Sequence, residues 1–468
     1  MNHGVYTEEL ATSVVSPVAA ESGVPFVVGV SPIQCAEHPA ALNTPILCTS
    51  WDEFVDQFGY SDDWATYSLC EFAYSHFKLY GCKPVVFVNV LDASTMKKTV
   101  AAASKTVSDH RVELPIDALD TNALTVVDSS DTLVKGTDYE TYYNGEMLVV
   151  ALKPASTHYS ASTLTIGYDA VDITLVTNAA VIAGIGTIDL CLTSVGVMPD
   201  LICAPGYSQK SEVAAVMATK ATKYSDMCHA RALIDIDSST VTAYGNVAAA
   251  KTSAGLTDPV EIVCWPMVKL GDKKFYMSTH LAGVLATVDN TNGGVPCESP
   301  SNKGVKIDSL CLASGAAVAL TIAQANVLNG AGVVTALNFL KGWVIWGNYT
   351  ACYPANTDVK DCFISDGRMF AYVANTLVKT FWSFLDRPMT RRLIDTILDT
   401  CNIWLSGLVG SGYLLGARVE MLDEENPLTA LLAGQIKLHV YLTPATPAQE
   451  ITFVLEYDAS YVQTALQG

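Results

Sequence analysis

Charge is scarce in this chain and unevenly signed. Of its 468 residues only 16% are Asp, Glu, Lys or Arg, where globular domains carry about a quarter. The 47 acidic residues outnumber the 27 basic ones, for a net charge of −20. Such an excess argues against a broad phosphate-binding surface, which is built from clustered Lys and Arg. The string G-x-x-x-x-G-K-[ST] that cradles phosphate is missing, and Gly184-Ile-Gly186 and Gly330-Ala-Gly332 lack the third glycine of a dinucleotide fingerprint. There is no G-x-S-x-G elbow, and His76, His110, His229 and His280 stand in no nucleophile context, against a triad hydrolase. No histidine pair brackets a glutamate at helical spacing, and Asp62-Asp63 and Asp423-Glu424-Glu425 lack the pattern of a calcium loop, so they read as solvated turns. No catalytic, cofactor-binding or metal-ligating residue is therefore assigned, and no cofactor is expected. Thirteen cysteines without a C-x-x-C pair read as buried small hydrophobes in a reducing compartment. Even the apolar stretch 179–198 contains Asp189, and MNHGVYTEEL is no signal peptide; the chain is expected to fold in a cytoplasm, without a membrane.

What is present is apolar: half of the residues are hydrophobic. At about 100–200 residues per domain, the length implies two to four domains. Composition leaves two readings open, a large well-buried monomer and a subunit that buries its surface against other subunits.

From residue 1 to about 22 there is little bulky apolar material, only a strand-like patch from Gly4 to Leu10, and the segment reads as an extended arm or as a frayed terminus. VPFVVGVSP, from Val24, has the continuous apolar run of a strand covered on both faces. Ser50, with Glu53 three residues on, predicts a helix start, Gly59 its stop, a second helix runs from Trp64 to Tyr80, and 83–91 returns to strand. Between about 95 and 186 the texture becomes Thr, Val, Ser and Asp in short alternating runs, with a hairpin turn at Tyr143-Asn144-Gly145, as in an inserted all-β module. Strands then recur at Leu201, at RALIDID, from Glu261 to Lys269 and at VIWGNYT, around a helix from Glu212 to Tyr224. The order indicates an α/β layer with parallel character.

The last hundred residues carry the clearest periodicities. Helical spacing covers Asp366–Thr380 and Pro388–Leu405, with Pro388 suited to a first turn and Gly407, Gly410 and Gly412 to a stop. From Gln435 to Leu442 the apolar residues Ile436, Leu438, Val440 and Leu442 alternate with polar ones, as in a strand with one wet face; Ile451, Phe453, Leu455 and Tyr457 repeat the period after Pro444 and Pro447. Two paired strands are expected there. Arg387, Arg391 and Arg392 stand out in so acidic a chain and are expected on one helix face, either paired with Asp386 and Asp395 or offered to an acidic partner.

The ordered pattern YLLGARVEMLDEENPLTALLAGQIKLHVYLTPATPAQEITFVLEY, with Gly416 and Val419 before an acidic turn, Glu425-Asn426, Ala433-Gly434, Pro444, Pro447 and Glu450-Ile451, resembles the C-terminal domain of contractile phage tail sheath proteins. HGVYTEELATSVVSPV looks like that family's opening arm, and MPDLICAPGYS and WVIWGNYT extend the likeness over nearly the whole chain. The resemblance implies a mixed α/β multidomain protein, with a subtilisin-like α/β central domain, an inserted β-sandwich, an α+β C-terminal domain and extended terminal arms. Its divisions are an arm at 1–22, the central domain at 23–94 and 187–350, the insertion at 95–186, the sheath domain at 351–457 and a tail at 458–468.

The function so implied is structural. Subunits polymerise helically around an inner tube and contract to drive it through a bacterial envelope, in a virion tail or tail-like particle assembled in the host cytoplasm. The partners are other copies of the chain, the tube protein, and baseplate and terminator proteins, with neither nucleic acid nor membrane. Gly4, Val5, Tyr6, Gln435, Ile436, Leu438, Val440, Tyr457 and Tyr461 would exchange strands between subunits, and Arg387, Arg391 and Arg392 would face the tube. The alternatives are another virion part, such as a baseplate or tube protein, and a soluble α/β ligand-binding protein or hydrolase. Phage, bacteriocin and other injection systems are not distinguished by the sequence.

Overall fold

The computed structural model describes residues 17–145, 147–340 and 342–467. Its centre is an eight-stranded sheet of β1 (Pro25–Gly29), β2 (Ile46–Cys48), β3 (Val85–Asn89), β4 (Leu201–Cys203), β5 (Arg231–Asp235), β6 (Glu261–Cys264), β7 (Val333–Asn338) and β8 (Trp343–Trp346), in the order β8-β7-β6-β5-β4-β1-β3-β2. From β7 to β3 neighbours run parallel, with Val333 beside Val263 and Phe26 beside both Ile202 and Val86; the edge strands β2 and β8 are antiparallel. PFVVG and VVFVN are buried along their whole length because helices cover both faces. Ser50 caps the helix Trp51–Phe58 by accepting from the Glu53 N–H at 3.2 Å, and Gly59, at φ +69°, ends it. The second helix begins at Ser68, four residues later than its spacing predicts, and closes in a π-helical turn, Tyr74–Tyr80.

Two expectations are corrected here. The strand expected over Glu261–Lys269 is two: β6 ends at Cys264, and Met267–Leu270 joins a separate antiparallel sheet with Lys273–Phe275 and Ser309–Cys311. Trp265-Pro266 intervenes, and a proline without an N–H cannot continue a central ladder. The helix Asn178–Gly186 packs on the central sheet through Val181 and Ile185 rather than with the preceding strands.

Those preceding strands, within 97–171, form two antiparallel sheets around a separate core that includes Val112, Leu114, Val126, Leu148, Val150, Leu164 and Ile166. The hairpin Tyr139–Asn144 and Met147–Leu152 pairs Asn144 with Met147, and Gly145 has φ +62°. Where the chain enters and leaves this unit, the Asp172 N–H donates to the Met96 carbonyl at 2.9 Å.

C-terminally, the helices Ile364–Phe381 and Arg391–Gly410 pack against a two-stranded antiparallel sheet of β9 (Leu414–Glu420) and β10 (His439–Pro444). Pro388 lies before the second helix, whose cap is Thr390, accepting from the Leu393 N–H at 3.2 Å; Gly407 and Gly410 lie within it and Gly412, at φ +79°, beyond it. The partner of β10 is thus β9, not Ile451–Tyr457, and Gln435, Ile436 and Leu438 precede β10 instead of belonging to it.

Candidate assembly surfaces

Val419, Val440 and Leu442 turn one face of the small sheet onto Met369, Tyr372, Val373 and Leu405. On the other face the Arg418 guanidinium lies 3.9 Å from the centre of the Tyr441 ring, and His439 stacks on that ring at 4.2 Å. The connection between the strands is held by Asn426, whose side chain donates to the Leu422 and Lys437 carbonyls and accepts from the Lys437 N–H, each at 2.8 Å. Hydrogen bonds from His439 and Lys437 keep the Glu425 carboxyl below its ordinary pKa.

A two-stranded sheet has two free edges, and one of these is occupied at Val419. The Asn402 amide donates to the Val419 carbonyl at 3.0 Å and accepts from the Val419 N–H at 2.9 Å, so a side chain from the neighbouring helix satisfies the outward main chain of β9. Since bonding alternates along an antiparallel pair, the Val419–Val440 pair faces outward on both strands. The main chains of Val440 and Leu442 therefore point to an edge that no described residue covers.

Beyond it the chain leaves the body of the protein. Thr446 reaches Asp366 at 3.5 Å and Gln449 accepts from Tyr349 Oη at 2.6 Å, after which Ile451, Phe453, Leu455 and Tyr457 are 71%, 83%, 94% and 80% exposed. The alternation expected of Ile451–Tyr457 finds no strand partner among the described residues. Tyr461 lies in the helix Ser460–Gln467, not in an extended segment.

At the other end, Gly4, Val5 and Tyr6 lie outside the described residues. From residue 17 the chain is fastened to the C-terminal helix: the Val18 and Ala20 N–H groups donate to Thr380 and Thr376 Oγ1 at 3.1 and 3.0 Å, and Glu21 pairs with Lys379 at 2.5 Å. Beneath them the buried Arg368 holds Asp289 Oδ2 at 2.5 Å, Asp200 Oδ2 at 2.7 Å and Ser22 Oγ at 3.3 Å, while Ser22 donates to Asp289 and the Val24 N–H to Asp200, both at 2.7 Å. Burial opposes the charge on Arg368, but the two carboxylates outweigh it and raise the guanidinium pKa.

No protein-family model matches the chain. The tail sheath protein of Burkholderia phage BcepMu is 25% identical to it over 492 residues, spanning 100% of this chain and 98% of that protein. The fold is similar to the sheath of an extracellular contractile injection system, PVC, in the contracted state (TM-score 0.58, 15% identity, 98% and 99% coverage) and to the helical sheath of the anti-feeding prophage in the contracted state (TM-score 0.59, 16% identity, 97% and 99%). Along its whole length the chain is similar in sequence to a phage tail sheath protein, and its fold is similar to that of sheaths of contractile injection systems.

The arginines do not share one helix face. Arg387 precedes Pro388 in a turn, where its Nε donates to the Ser383 carbonyl at 3.0 Å and its guanidinium sits 4.4 Å from the centre of the Phe384 ring; the helix starts only at Arg391. Arg391 pairs with Asp395 at 2.9 Å and is 80% exposed, and Arg392 is exposed beside it.

The chemistry of the interior serves packing. Asp235, at the end of β5, accepts from the Ser278 N–H at 3.0 Å and from the Ser278 hydroxyl at 2.5 Å, and burial raises its carboxyl to about 6. Its hydroxyl partners are Ser278 and Ser208, with no imidazole between carboxylate and serine as a triad would need. His280 Nδ1 lies 2.9 Å from Tyr80 Oη, while His76 stacks on Phe72 at 4.2 Å. Among the described residues no three His, Cys, Asp or Glu side chains are grouped to hold a metal ion, and no helix is long and apolar enough to cross a membrane. All thirteen cysteines are free, and all but Cys35 and Cys297 are buried. Asp62 pairs with Lys273, and Glu425 with Lys437, as acidic turns do.

Sequence reasoning missed Asn402 and Arg368. Arg368 had a signal: Ile364, Arg368 and Tyr372 fall on one face at i, i+4 spacing, and a charge inside an apolar stripe marks a buried partner. Asn402 had none, because its bond to Val419 depends on the tertiary crossing of helix and strand.

Proposed function

We propose that copies of this chain are joined by strand exchange into a helical sleeve around a tail tube, and that the extended sleeve, triggered through a baseplate, contracts to drive the tube through a bacterial envelope. The observation that carries this reading is the pairing of two deficits among the described residues of one subunit: an apolar segment, Ile451–Tyr457, with nothing to pair with, and a strand edge at Val440 and Leu442 with nothing added to it. A neighbour's tail satisfies both. Such a head-to-tail contact does not close on itself and propagates as a helix. Main-chain bonds at the edge tolerate changes of domain angle, so linkage survives while rigid bodies move between two packings.

In this reading the arm with Gly4, Val5 and Tyr6 adds to the same small sheet of a neighbour, and Gln435, Ile436 and Leu438 flank the receiving edge. Arg387, Arg391 and Arg392 face the tube, the terminator closes the far end, and assembly takes place in the host cytoplasm. The centre corresponds to a subtilisin-like layer at 23–94 and 187–350 that also takes in the helix Asn178–Gly186, the strands of the insertion at 95–186 to a β-sandwich on the outside of the sleeve, 351–457 to the sheath domain, and 1–22 and 458–468 to the connecting arms.

The test is disulfide trapping. Thr443→Cys on the exposed edge strand, combined in turn with cysteines along 451–457, should cross-link between subunits in sleeves and not within a subunit. Cross-links confined to single chains would overturn strand exchange.

A further inference from the structure

Arg231 opens β5, and its N–H donates to the Asp200 carbonyl at 2.8 Å. Its side chain runs under the Ile364–Phe381 helix at Gly367. A Cβ on that glycine would lie 2.5 Å from Arg231 Nη2 and 3.1 Å from Cζ, so the guanidinium occupies the space a side chain would take. Among the described residues nothing forms a hydrogen bond or ion pair with this guanidinium, and its Nε is buried without an acceptor. Arg368, one residue past Gly367, is the contrast: it is fully buried where Arg231 is half-buried, and although its Nε also lacks an acceptor, its terminal nitrogens are held by Asp289, Asp200 and Ser22.

The carboxylates nearest to Arg231 are engaged elsewhere. Asp200 holds Arg368 and the Val24 N–H, Asp361 takes Lys360 at 3.3 Å and the Asn356 amide at 3.0 Å, and Asp258 accepts from the Val260 N–H at 3.0 Å. Burial, and then the like charge of Arg368, lower the Arg231 pKa to about 10, which leaves the group charged at neutral pH. Over it lies an open cleft of about 270 Å3 whose walls include His229, Lys360 and Asp361 on the polar side and Phe370 and Ala374 on the apolar side.

We infer that this cleft is a carboxylate-binding site, filled in the assembled sheath by an acidic side chain of a neighbouring copy of the chain. An unsatisfied buried donor is costly, more so when charged, and the planar fork of arginine matches a carboxylate with two parallel bonds. The cleft holds one side chain and its stem: the head meets Arg231 and Lys360, and the stem lies on Phe370 and Ala374. The surface that would supply the head is abundant, because the chain carries 47 acidic residues against 27 basic ones.

The inference rests on the self-assembly reading, and its test separates the two. Arg231→Lys subunits, one batch labelled with nitrogen-15 and one not, are mixed, assembled and treated with a carbodiimide, which joins an amine to a contacting carboxylate. Cross-linked peptides carrying one label on each side, with the new lysine as donor, are expected. Coupling only to Asp200, Asp258 or Asp361 of the same chain, or sleeves that form without coupling, would overturn the site. Alongside, Arg231→Gln should leave the melting temperature of the unassembled subunit unchanged or raised, and should raise the concentration needed for assembly by roughly ten- to a hundred-fold, as loss of one charge-assisted contact implies. Assembly like that of the unaltered chain would contradict it. Inorganic phosphate that raises the melting temperature of the unaltered subunit but not of Arg231→Gln, without coupling between copies, would assign the cleft to a free anion and overturn the neighbour as occupant. If the unaltered chain makes no sleeves, the assembly reading fails, and the neighbour assignment with it.

Discussion

Arg368 ties three stretches of chain together: Ser22 in the entering segment, Asp200 before β4, and Asp289 at the end of the Met277–Thr291 helix. Removing one partner of a buried ion pair leaves the others uncompensated, so Arg368→Ala should cost about 3–5 kcal/mol in urea unfolding; a loss below ~1 kcal/mol would mean that the carboxylates find other partners. Lysine cannot supply the fork and should rescue little. A second residue-scale effect concerns His76 and His280, which burial holds near pKa 3, against an ordinary 6.5. The unfolded chain takes up these protons below about pH 6.5 and the folded chain only near 3, so their contribution is complete above 6.5 and is lost as pH falls between the two values. Glu71, raised by burial from 4.5 to about 8, works in the opposite sense, with its contribution complete below 4.5 and lost as pH rises through 8. His76→Leu should flatten the pH dependence of the urea midpoint between pH 6.5 and 3. An unchanged slope would place the acid sensitivity elsewhere.

Among the elements, the small C-terminal sheet owes its directionality to one side chain. With Asn402 bonded to Val419 the β9 edge is blocked at that residue while Val440 and Leu442 of β10 stay open, so under the proposed strand exchange β10 is the favoured edge. Asn402→Ala should lower subunit stability by about 1–3 kcal/mol, since it strands a main-chain donor and acceptor, and should produce irregular aggregates in light scattering; a variant that assembles as regularly as the unaltered chain would show that the bond does not select the edge. How far these elements were legible follows from what periodicity reports. It reports burial, which is why β1, β3 and the two long C-terminal helices lay close to their expected ranges. It does not report who supplies the cover. The alternation of Ile451–Tyr457 predicts a second strand of the same sheet, yet these residues are exposed and β9 holds that position. Spacing alone puts Arg387 on a helix face with Arg391, whereas Pro388 intervenes and Thr390 starts the helix. The apolar run over Trp265-Pro266 predicts one strand, and the N–H that proline lacks ends it.

At the scale of the whole molecule, the eight-stranded sheet and the C-terminal helices form a framework that, among the described residues, presents a strand edge, an exposed tail and an open cleft to a neighbour. The low charge of the chain admitted both a buried monomer and a packed subunit; the exposed apolar tail tips the balance toward the second. The account requires that connection, not folding, depends on this tail. Removing residues 451–468 takes away no member of the three hydrophobic cores, so the truncated subunit should melt at the temperature of the full chain. Electron microscopy of the two purified proteins under identical conditions is the direct test: long hollow sleeves from the full chain and discrete single particles from the truncated one are the result predicted, and sleeves of ordinary length and regularity from the truncated chain would contradict it.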